Sequence, residues 1–589
     1  MRRRAYFCLI IGLFLPLALS AQVLNPEEKS KLEDAINPFT VGVQTLKVKV
    51  DSVHSEQNRF TVYTSDNFSY VPFRRDNVQK ILEAVKNALP TTYANAAIHV
   101  ITGGKDIQDL IPRLYQDKKN KRPIFTNDCK IPLVQNMDRP YQAPKGLDGR
   151  HIALWQSHGL YYQLGLARWE WQRARVFQTV EDKYTQSYVL PYLVPMLENA
   201  GAIVMMPRER DANPYEVIVD NDRQLATSLY QETTGAQPWV NGAGKGFAYT
   251  KEQYTEFDNP FADGTFRQAQ TVKKSNDQST ISWIPTIPVD RQYAVYVSYQ
   301  SQPNSTSDAI YTVYHKDGKT AFKVNQKMGG GTWIYLGTFS FDKGTSGKVV
   351  LSNYSKETGT VVTADAVKFG GGMGNIARRA DQDSIVHYTK ASSKYGKSNM
   401  RVARNAYQPQ INYPYEVSGY PRFVEGARYW MQWAGIPDSI YSPSHGGDDY
   451  SDDYKSRGIW VNYLAGGTKS CPDVKGLQIP IDLSFAFHSD AGTFGRDTIV
   501  GSLGIYKVDR YGGKYADGSS RMTCAIWFCQ ISPTTSVHYM SPIGPAEGCG
   551  INLISKLGHP ECLPCYLNCY RIRILQICAM AWIPALDLR

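Results

Sequence analysis

The stretch Ile152-Ala153-Leu154-Trp155-Gln156-Ser157-His158-Gly159 begins as a short apolar run and ends in a polar loop. An apolar run of this length predicts a buried strand. A second run, Leu483-Ser484-Phe485-Ala486-Phe487, leads into His488-Ser489-Asp490 in the same way. Between them, residues 181–201 have helical spacing, and residues 202–206 predict a further buried strand. Strand, helix and strand in this order favour a parallel sheet, so we predict an α/β fold class: a mixed sheet with helices.

The predicted helix between the strands is unusual because it contains Pro191 and Pro195. Proline lacks the backbone donor that a helix interior needs, so the sequence predicts a kink there. Gly201 is suited to end the helix because it accepts a left-handed conformation.

An all-β segment interrupts the α/β pattern between residues 231 and 372. Alternating apolar and polar residues predict strands at Tyr293-Ala294-Val295-Tyr296-Val297, Ile310-Tyr311-Thr312-Val313-Tyr314 and Trp333-Ile334-Tyr335-Leu336. Asp317-Gly318 is a typical hairpin turn. The pattern indicates an inserted β-sandwich.

The N-terminal region has the layout of an exported protein. Arg2-Arg3-Arg4 precedes an apolar run at 9–19, and Leu19-Ser20-Ala21 offers small residues for cleavage, so residues 1–21 predict a signal peptide. Residues 22–148 then predict a small α+β accessory domain, with strands at 60–63 and 98–101 and a helix at 77–89.

Composition narrows the class of partner. The chain has 589 residues, 42% of them hydrophobic, and a formal net charge of +11. The charges are dispersed, which argues against nucleic acid and is compatible with an anionic cell-wall polymer or polysaccharide. No later segment reaches about 18 consecutive apolar residues, so the sequence predicts no membrane span in the mature chain. We therefore expect a secreted or periplasmic location.

Two histidines and one carboxylate are the candidate residues for a functional site. His158 and His488 each follow a predicted buried strand, and Glu181 opens the helix between them. Ligands collect at the carboxyl edge of parallel strands. Two imidazoles and one carboxylate suit a catalytic zinc ion with an open fourth position. The alternative is that the histidines are ordinary loop residues and that Glu181 is a helix-start carboxylate favoured by the helix dipole.

The local sequences resemble the zinc-dependent N-acetylmuramoyl-L-alanine amidases. The resemblance rests on residues 154–159, on Glu181, on Pro207-Arg208-Glu209-Arg210-Asp211 and on residues 485–490. It implies that His158, Glu181 and His488 bind Zn²⁺. It also implies cleavage of the amide that joins muramic acid to the stem peptide of peptidoglycan.

The sequence departs from that family in two places. Gly159-Leu160 stands where the family has two glycines, and Trp169-Glu170-Trp171-Gln172-Arg173 lengthens the gap before Glu181. Glu170 is therefore a rival for the carboxylate ligand. This version resembles exported proteins of Bacteroides-like bacteria, some of them labelled xanthan lyases.

The inserted sandwich resembles the golvesin C-terminal-like domain, on the basis of residues 331–339 and of Thr363-Ala364-Asp365-Ala366-Val367. Such modules resemble carbohydrate-binding sandwiches. Trp283 and Trp333 could contact glycan or fill the core, and both readings stay open. Asp365 is expected to be structural.

The last part of the chain is anomalous, because seven of the ten cysteines lie between Cys524 and Cys578. Cys562-x-x-Cys565 could form a zinc knuckle or join a disulfide cluster. We favour a frame shift, because one-base-shifted codons for residues 562–580 can encode PAMLFELLSHQNFADMRYG, which resembles the ending of this amidase group. The glutamate in FELLSHQN would be the catalytic base, and it is missing here.

The sequence therefore predicts a zinc-dependent peptidoglycan amidase, impaired by the missing glutamate. The alternatives are a noncatalytic cell-wall or polysaccharide-binding protein and a xanthan-lyase-like enzyme. The predicted organisation begins with a signal peptide at 1–21 and an accessory domain at 22–148. An amidase-like domain follows in two parts, at 149–230 and 373–523, around the golvesin-like sandwich at 231–372. An anomalous tail at 524–589 ends the chain as given.

Overall fold

The computed structural model divides the chain into two compact units, Met1–Asn120 and Lys121–Arg589. It describes residues 25–40, 47–56, 58–112, 115–116, 131–140, 146–173, 175–176, 179–222, 228–385, 411–488, 501–506, 535–539 and 551–556. In the last three ranges only the backbone is described. The predicted signal peptide lies outside these residues.

The first unit is a small α+β domain. In chain order its elements are α1 (Pro26–Ile36), β1 (Val50–Glu56), β2 (Arg59–Thr64), α2 (Arg75–Ala88), β3 (Ala97–Thr102) and β4 (Lys105–Asp106). The four strands form one sheet in the order β1-β2-β3-β4, in which only β2 and β3 are parallel. The amphipathic helix α2 buries Val78, Ile81 and Val85. The predicted helix and both predicted strands are confirmed.

The second unit begins with short strands and a broken helix. These elements are β5 (Val134–Asn136), β6 (His151–Gln156), β7 (Leu160–Gln163), β8 (Arg168–Trp171), β9 (Arg175–Val176), β10 (Thr179–Val180), α3 (Glu181–Tyr188), α4 (Val194–Asn199) and β11 (Ile203–Met205). A wide π-type turn, Val189–Leu193, separates α3 from α4. Pro191 lies in this turn and Pro195 follows it, so the predicted kink is confirmed.

The inserted segment is a β-sandwich, as predicted. Its strands are β12 (Val217–Val219), β13 (Leu229–Thr233), β14 (Val240–Asn241), β15 (Arg267–Gln270), β16 (Thr280–Ile284), β17 (Arg291–Val297), β18 (Ala309–His315), β19 (Gly318–Val324), β20 (Ile334–Phe341), β21 (Lys348–Ser352), β22 (Val361–Ala364) and β23 (Val367–Phe369). The main sheets run β12-β23-β17-β20 and β13-β16-β21-β18-β19-β5. Strands β5 and β12, and the start of β13, therefore join the sandwich sheets from outside the predicted bounds of 231–372.

The remaining elements complete a six-stranded mixed sheet. They are α5 (Ala427–Trp433), α6 (Asp438–Tyr441), α7 (Asp449–Ala465), β24 (Leu483–His488), β25 (Gly501–Tyr506), β26 (Thr535–Tyr539) and β27 (Ile551–Lys556). The strand order is β11-β6-β24-β27-β25-β26. Strands β11, β6, β24 and β27 are parallel to one another. Strand β6 thus lies between β11 and β24, buried along its whole length.

The predicted α/β fold class is wrong for this chain, which is predominantly β. Strands hold more of the described residues than α-helices do, and among the described helices only α1, α2 and α7 exceed ten residues. Between β6 and α3 the chain forms two antiparallel strand pairs, β7 with β8 and β9 with β10. The spacing of apolar residues within a short segment cannot reveal a predominantly β fold, because pairing between strands that are distant in the chain decides it.

The anomalous tail lies largely outside the described residues. Strands β26 and β27 are its described parts, and β27 pairs in parallel with β24 and antiparallel with β25. Two segments of the tail thus contribute strands to the six-stranded sheet. The frame shift itself stays a prediction. Among the described helices, none combines the length and the apolar character that crossing a membrane requires.

His151 gives a pH-dependent test of the junction between β6 and the segment before β5. Its Nε2 accepts the Leu133 amide at 3.1 Å, and burial lowers the pKa of His151 to about 4. Since the unfolded value is about 6.5, the stabilisation is complete above pH 6.5 and is lost as the pH falls towards 4. We expect thermal unfolding between pH 7 and 4.5 to depend less steeply on pH in His151→Gln than in the parent. An unchanged slope would contradict this.

Candidate metal centre

The end of strand β6 holds His158 in a fixed place. The Ser157 amide donates to the Phe487 carbonyl at 2.8 Å, which extends the parallel ladder between β6 and β24 by one residue. Ser157 then turns sharply with a φ of 39°, a region that few side-chain-bearing residues adopt. Strain of this kind is typical of functional sites that the surrounding structure enforces. It directs His158 off the strand towards β24.

Gly159 allows the loop to pass against another part of the chain. A Cβ atom at this position would lie 2.6 Å from the backbone carbonyl of Glu425, so no larger residue fits. The next residue, Leu160, starts β7, and its carbonyl accepts the Gly426 amide at 2.8 Å. A second glycine is therefore not required here, which accounts for the Gly-Leu pair.

Arg208 holds the same loop in place through hydrogen bonds to backbone carbonyls. Its buried guanidinium donates to the carbonyls of Gln156 (2.7 Å), Glu425 (2.9 Å) and Phe423 (3.0 Å), and also to that of His158. Burial lowers the pKa of Arg208 to about 10. Five planar donors on one rigid group suit this role better than the single ammonium of lysine.

The three residues singled out from the sequence meet at this edge of the sheet. His158, Glu181 and His488 each offer one ligand atom, and these atoms lie within 4.8 Å of one another. The two imidazole rings are 4.9 Å apart between centroids, and His488 Nδ1 lies 3.2 Å from a Glu181 oxygen. His158 and Glu181 are buried, at 4% and 6% exposure. Zinc binding itself is not tested by this geometry and stays a prediction.

The donor set fits a zinc ion. Burial, and then Arg457 and His488, hold the pKa of His158 well below its usual range, and burial also lowers the pKa of His488. Both rings are therefore neutral and offer lone pairs. Gln156, Ser157 and Asp182, which adjoin His158 and Glu181 in the chain, carry buried side-chain polar atoms that have no hydrogen-bond partner among the described residues. Such atoms are expensive in a folded chain unless a further group satisfies them.

Two guanidinium groups face the ring of His158. Arg457 Nη2 lies 3.0 Å from Nδ1, and Arg173 Nη2 lies 2.8 Å from Nε2. A neutral imidazole accepts at one nitrogen, so both contacts cannot be hydrogen bonds. Arg457 is anchored by the carbonyls of Ser157 and Asp453. Arg173 also pairs with Glu181 at 3.3 Å, so it touches two of the three predicted ligands.

The insert before Glu181 supplies Arg173 and excludes the rival ligand. The hairpin of β7 and β8 places Glu170 opposite Tyr161, where it pairs with Arg168 Nε at 2.8 Å. Glu170 does not belong to the three-residue cluster found among the described residues. Directly after β8, the Gln172 amide donates to Asp453 at 2.7 Å. The insert thus positions a cation beside the site and contributes no carboxylate to it.

Sequence reasoning missed Arg173 and Arg457 as parts of the site. Arg173 stood inside the noted Trp-rich insert, which was read only for its carboxylate. Arg457 lies in the middle of α7, without a nearby motif. Nothing local in the sequence connects α7 to His158, since that contact spans 299 positions.

Buried carboxylates follow the loop Ser444-His445-Gly446-Gly447-Asp448 at the start of α7. Asp449, at the start of α7, is buried and pairs with Arg378 and Arg428 at 2.6 Å each. Asp452 accepts hydrogen bonds from Ser442 and Ser444. These carboxylates have structural partners, and buried arginines balance their charge.

Trp283 and Trp333, the two tryptophans considered as glycan contacts, lie in the core of the sandwich. Trp283 is fully buried, is stacked with Tyr311 at 6.3 Å, and donates to the Asp365 carbonyl at 2.9 Å. Trp333 packs against Phe247 and Phe261. Of the two readings that the sequence left open, the core position is the one that the structure shows.

We expect purified protein to bind zinc in a ratio of about one to one, and His158→Ala or His488→Ala to lose that zinc. Each substitution removes one of the few ligands that define a zinc site. Metal content after dialysis is the measurement. Glu170→Gln is the matched control and keeps its zinc, and equal loss in this variant would contradict the assignment.

Arg173 is expected to compete with the cation, because its guanidinium already contacts His158 and Glu181. Arg173→Ala removes that charge, so zinc affinity should rise about tenfold or more, equivalent to about 1.4 kcal/mol. Competition with a chromophoric chelator measures it. Arg168→Ala, from the same hairpin but paired with Glu170, should leave affinity unchanged. Weaker binding in Arg173→Ala would overturn the expectation.

The comparisons with known proteins match parts of the chain. Residues 259–371 match the Golvesin C-terminal domain, which confirms that part of the resemblance. A xanthan lyase of Bacillus sp. (strain GL1) is 35% identical over 92 residues, which are 15% of this chain and 10% of that protein. The chain thus spans about a tenth of this curated relative's length.

Solved structures give the same picture of a local likeness. The Paenibacillus xanthan lyase structure is 24% identical, with a TM-score of 0.21, and the match covers 27% of this chain and 13% of that one. A C-terminal CBM6 domain of the laminarinase LamC from Zobellia galactanivorans is 10% identical, with a TM-score of 0.16, covering 26% of this chain and 99% of that one.

Proposed function

We propose that this protein acts on a polysaccharide-containing substrate and hydrolyses it at a metal centre formed by His158, Glu181 and His488. The observation that carries the proposal is the meeting of three ligand atoms within 4.8 Å at the end of two parallel strands. Two histidines and one carboxylate leave room for water or substrate on a zinc ion.

When bound, Zn²⁺ lowers the pKa of its water towards neutrality and polarises a scissile carbonyl. The chain's own residues prepare the site. The hydrogen bond from Arg208 and the strained backbone of Ser157 fix the orientation of His158. Nδ1 of His488 lies within hydrogen-bond distance of a Glu181 oxygen. Arg173 is partly exposed, so its guanidinium can reach a substrate oxygen on which negative charge develops.

The finer form of the proposal follows the amidase resemblance: the bond broken is the amide between muramic acid and the stem peptide. The terminal glutamate expected in that family is missing from the printed sequence. We therefore propose weak amidase activity for the chain as written, and stronger activity for a chain with the frame restored.

The polysaccharide part of the proposal is supported by the sandwich. The match of residues 259–371 to the Golvesin C-terminal domain and the likeness of 92 residues of the chain to a xanthan lyase support an association with carbohydrate. A net charge of +11 suits an anionic polymer. Because Trp283 and Trp333 are core residues, any glycan contact would involve other side chains.

A second candidate function is polysaccharide lysis. The xanthan lyase relative favours it, although the shared segment covers a tenth of that protein. A lyase breaks a glycosidic bond by elimination and leaves an unsaturated sugar, whereas a hydrolase adds water. The two reactions therefore differ in their products.

Product analysis decides between these functions. We expect purified protein with zinc to release peptide from peptidoglycan, and His158→Ala to abolish the release while Glu170→Gln retains it. Peptide release is followed by mass spectrometry, and xanthan is incubated in parallel and monitored for the ultraviolet absorbance of an unsaturated sugar. Unsaturated product in both variants would favour a lyase. Binding to either polymer with no product would leave a noncatalytic binding protein.

A further inference from the structure

A cavity of about 860 Å³ lies between the sandwich and the mixed sheet, and none of the three residues of the histidine centre lines it. Its wall is formed by β11, β20, α5 and α7, together with residues 132–140. Met137, which is part of the wall, is 46% exposed, so the cavity is open to solvent. Protein interiors leave few voids larger than a water molecule, whereas ligand pockets have volumes of about 300 to 1,000 Å³. The cavity therefore has the size of a ligand site.

Three ion pairs supply the polar part of the wall. Each joins an arginine to a carboxylate at 2.6 to 3.0 Å, and the pairs are Arg210 with Glu198, Arg139 with Asp148, and Arg150 with Asp482. Because each of these cations has its anion, the wall offers hydrogen-bonding groups without a large excess of either charge. Such a wall suits a neutral polar ligand better than a polyanion, which is recognised by complementary positive charge.

Arg210 is held in place by three groups around it. Its guanidinium lies over the ring of Tyr335 at 3.9 Å, donates to the Val204 carbonyl at 3.1 Å, and pairs with Glu198 at 2.6 Å. The hydrogen bonds found among the described residues use one carboxyl oxygen of Glu198, so the other can accept from a ligand hydroxyl. A planar guanidinium that is already oriented loses little freedom when it donates to a ligand. The pair is therefore a preorganised polar contact in the cavity.

Strand β20 has a β-bulge where it lines the cavity. Its register against β17 shifts between Tyr335 and Gly337, so Leu336 is an extra residue in the strand. Bulges bend a strand, re-aim its side chains and are common beside functional sites. Tyr335 and Phe339, on either side of the bulge, both line the cavity. A Cβ atom at Gly337 would lie 2.6 Å from Cζ of Phe339, so the phenyl ring lies against this glycine. The wall thus combines aromatic rings with fixed polar groups.

An extended peptide is a poorer fit to this cavity. Strand β11 is at one edge of the mixed sheet, and strand edges attract extended peptides. The Ile203 amide donates to the Arg150 carbonyl just before β6, so the backbone groups of the next residue, Val204, point away from β6. The Val204 carbonyl already accepts a hydrogen bond from Arg210. An acceptor that a peptide strand would need is therefore occupied.

We propose that this cavity binds a short neutral stretch of glycan, with Tyr335 and Phe339 packing against sugar rings and the pair of Arg210 and Glu198 bonding to hydroxyl groups. Sugars have apolar C–H faces and many hydroxyl groups, so they match a wall of aromatic rings and fixed polar side chains. An apolar ligand would remove water from the ion pairs without replacing its hydrogen bonds, which costs free energy.

The choice of a sugar rests in part on the polysaccharide substrate of the proposed function, whereas the contacts of the cavity do not depend on hydrolysis. Arg208 lines the cavity and also donates to the carbonyl of His158. One side chain thus contacts both the glycan site and the loop of the candidate centre. A polymer held in the cavity would therefore be kept close to that centre.

Calorimetric titration of the full-length protein tests the proposal. The probes are cellotetraose and chitotetraose, which are neutral, tetragalacturonate, which is anionic, and a capped tetra-alanine peptide. We expect a neutral tetrasaccharide to bind in a ratio of about one to one with a Kd of about 1 mM or lower, and tetragalacturonate to bind about tenfold more weakly. Tightest binding of tetragalacturonate or of the peptide, or binding of no probe, would overturn the proposal.

Variants connect the binding to the cavity. Thr338→Trp places a large ring at an exposed position of the wall and should weaken sugar binding about tenfold or more, as should Glu198→Ala, which removes the carboxylate acceptor. Lys319→Trp, at an exposed position of β19 outside the wall, is the matched control and should bind like the parent. Circular dichroism checks that each variant is folded, and Glu198→Ala decides if Thr338→Trp does not fold. Parent-like binding in the folded cavity variants would show that the sugar binds elsewhere, and the proposal would be wrong.

The same titration separates this proposal from the catalytic one. His158→Ala should bind the tetrasaccharide as the parent does, because the histidine centre does not line the cavity. A parent protein that releases peptide from peptidoglycan but binds no neutral tetrasaccharide would overturn the cavity proposal alone. A parent protein that binds the sugar and forms no product would overturn only the proposed hydrolysis.

Discussion

The parallel pairing of β6 with β24 is the constraint on which the candidate centre depends. Leu154 lies opposite Phe485 and Gln156 opposite Phe487, so both strands end at the same level of the sheet. Glu181 and His488 are 307 positions apart in the chain and yet 3.2 Å apart in space. Because side chains alternate along a strand, a slip of one residue in this register would turn His488 to the opposite face.

Buried arginines hold the surroundings of that strand end. Arg208 satisfies carbonyls that the sheet leaves unpaired, and Arg457 connects α7 to the same loop. Each buried charge is costly to place, so each is fixed by several acceptors or by a carboxylate. The result is a rigid frame around His158, which is what a preorganised site requires. Arg173 is the more exposed member and is therefore the one that can move.

Buried charges near the sandwich carry the same free-energy cost, and other groups offset it there. Glu209 is neutralised by Lys368, whose ammonium also lies over the rings of Tyr296 and Trp430. Asp220 is also buried, and none of the ion pairs among the described residues includes it. Aromatic side chains fill the space between the two main sheets, so Trp283 and Trp333 serve packing.

The sequence by itself determined the local elements and the positions of the ligand candidates. Apolar runs predicted β6, β11 and β24, alternation predicted the sandwich strands, and two prolines predicted the break between α3 and α4. These succeed because a strand or helix buries one face of a short segment, which periodicity reveals. The tertiary structure decided the predominantly β class, the position of Glu170 away from the centre, and the contacts of Arg173 and Arg457 with His158. Those outcomes depend on contacts between distant segments and on the cost of burying charge, and no local pattern encodes either of them.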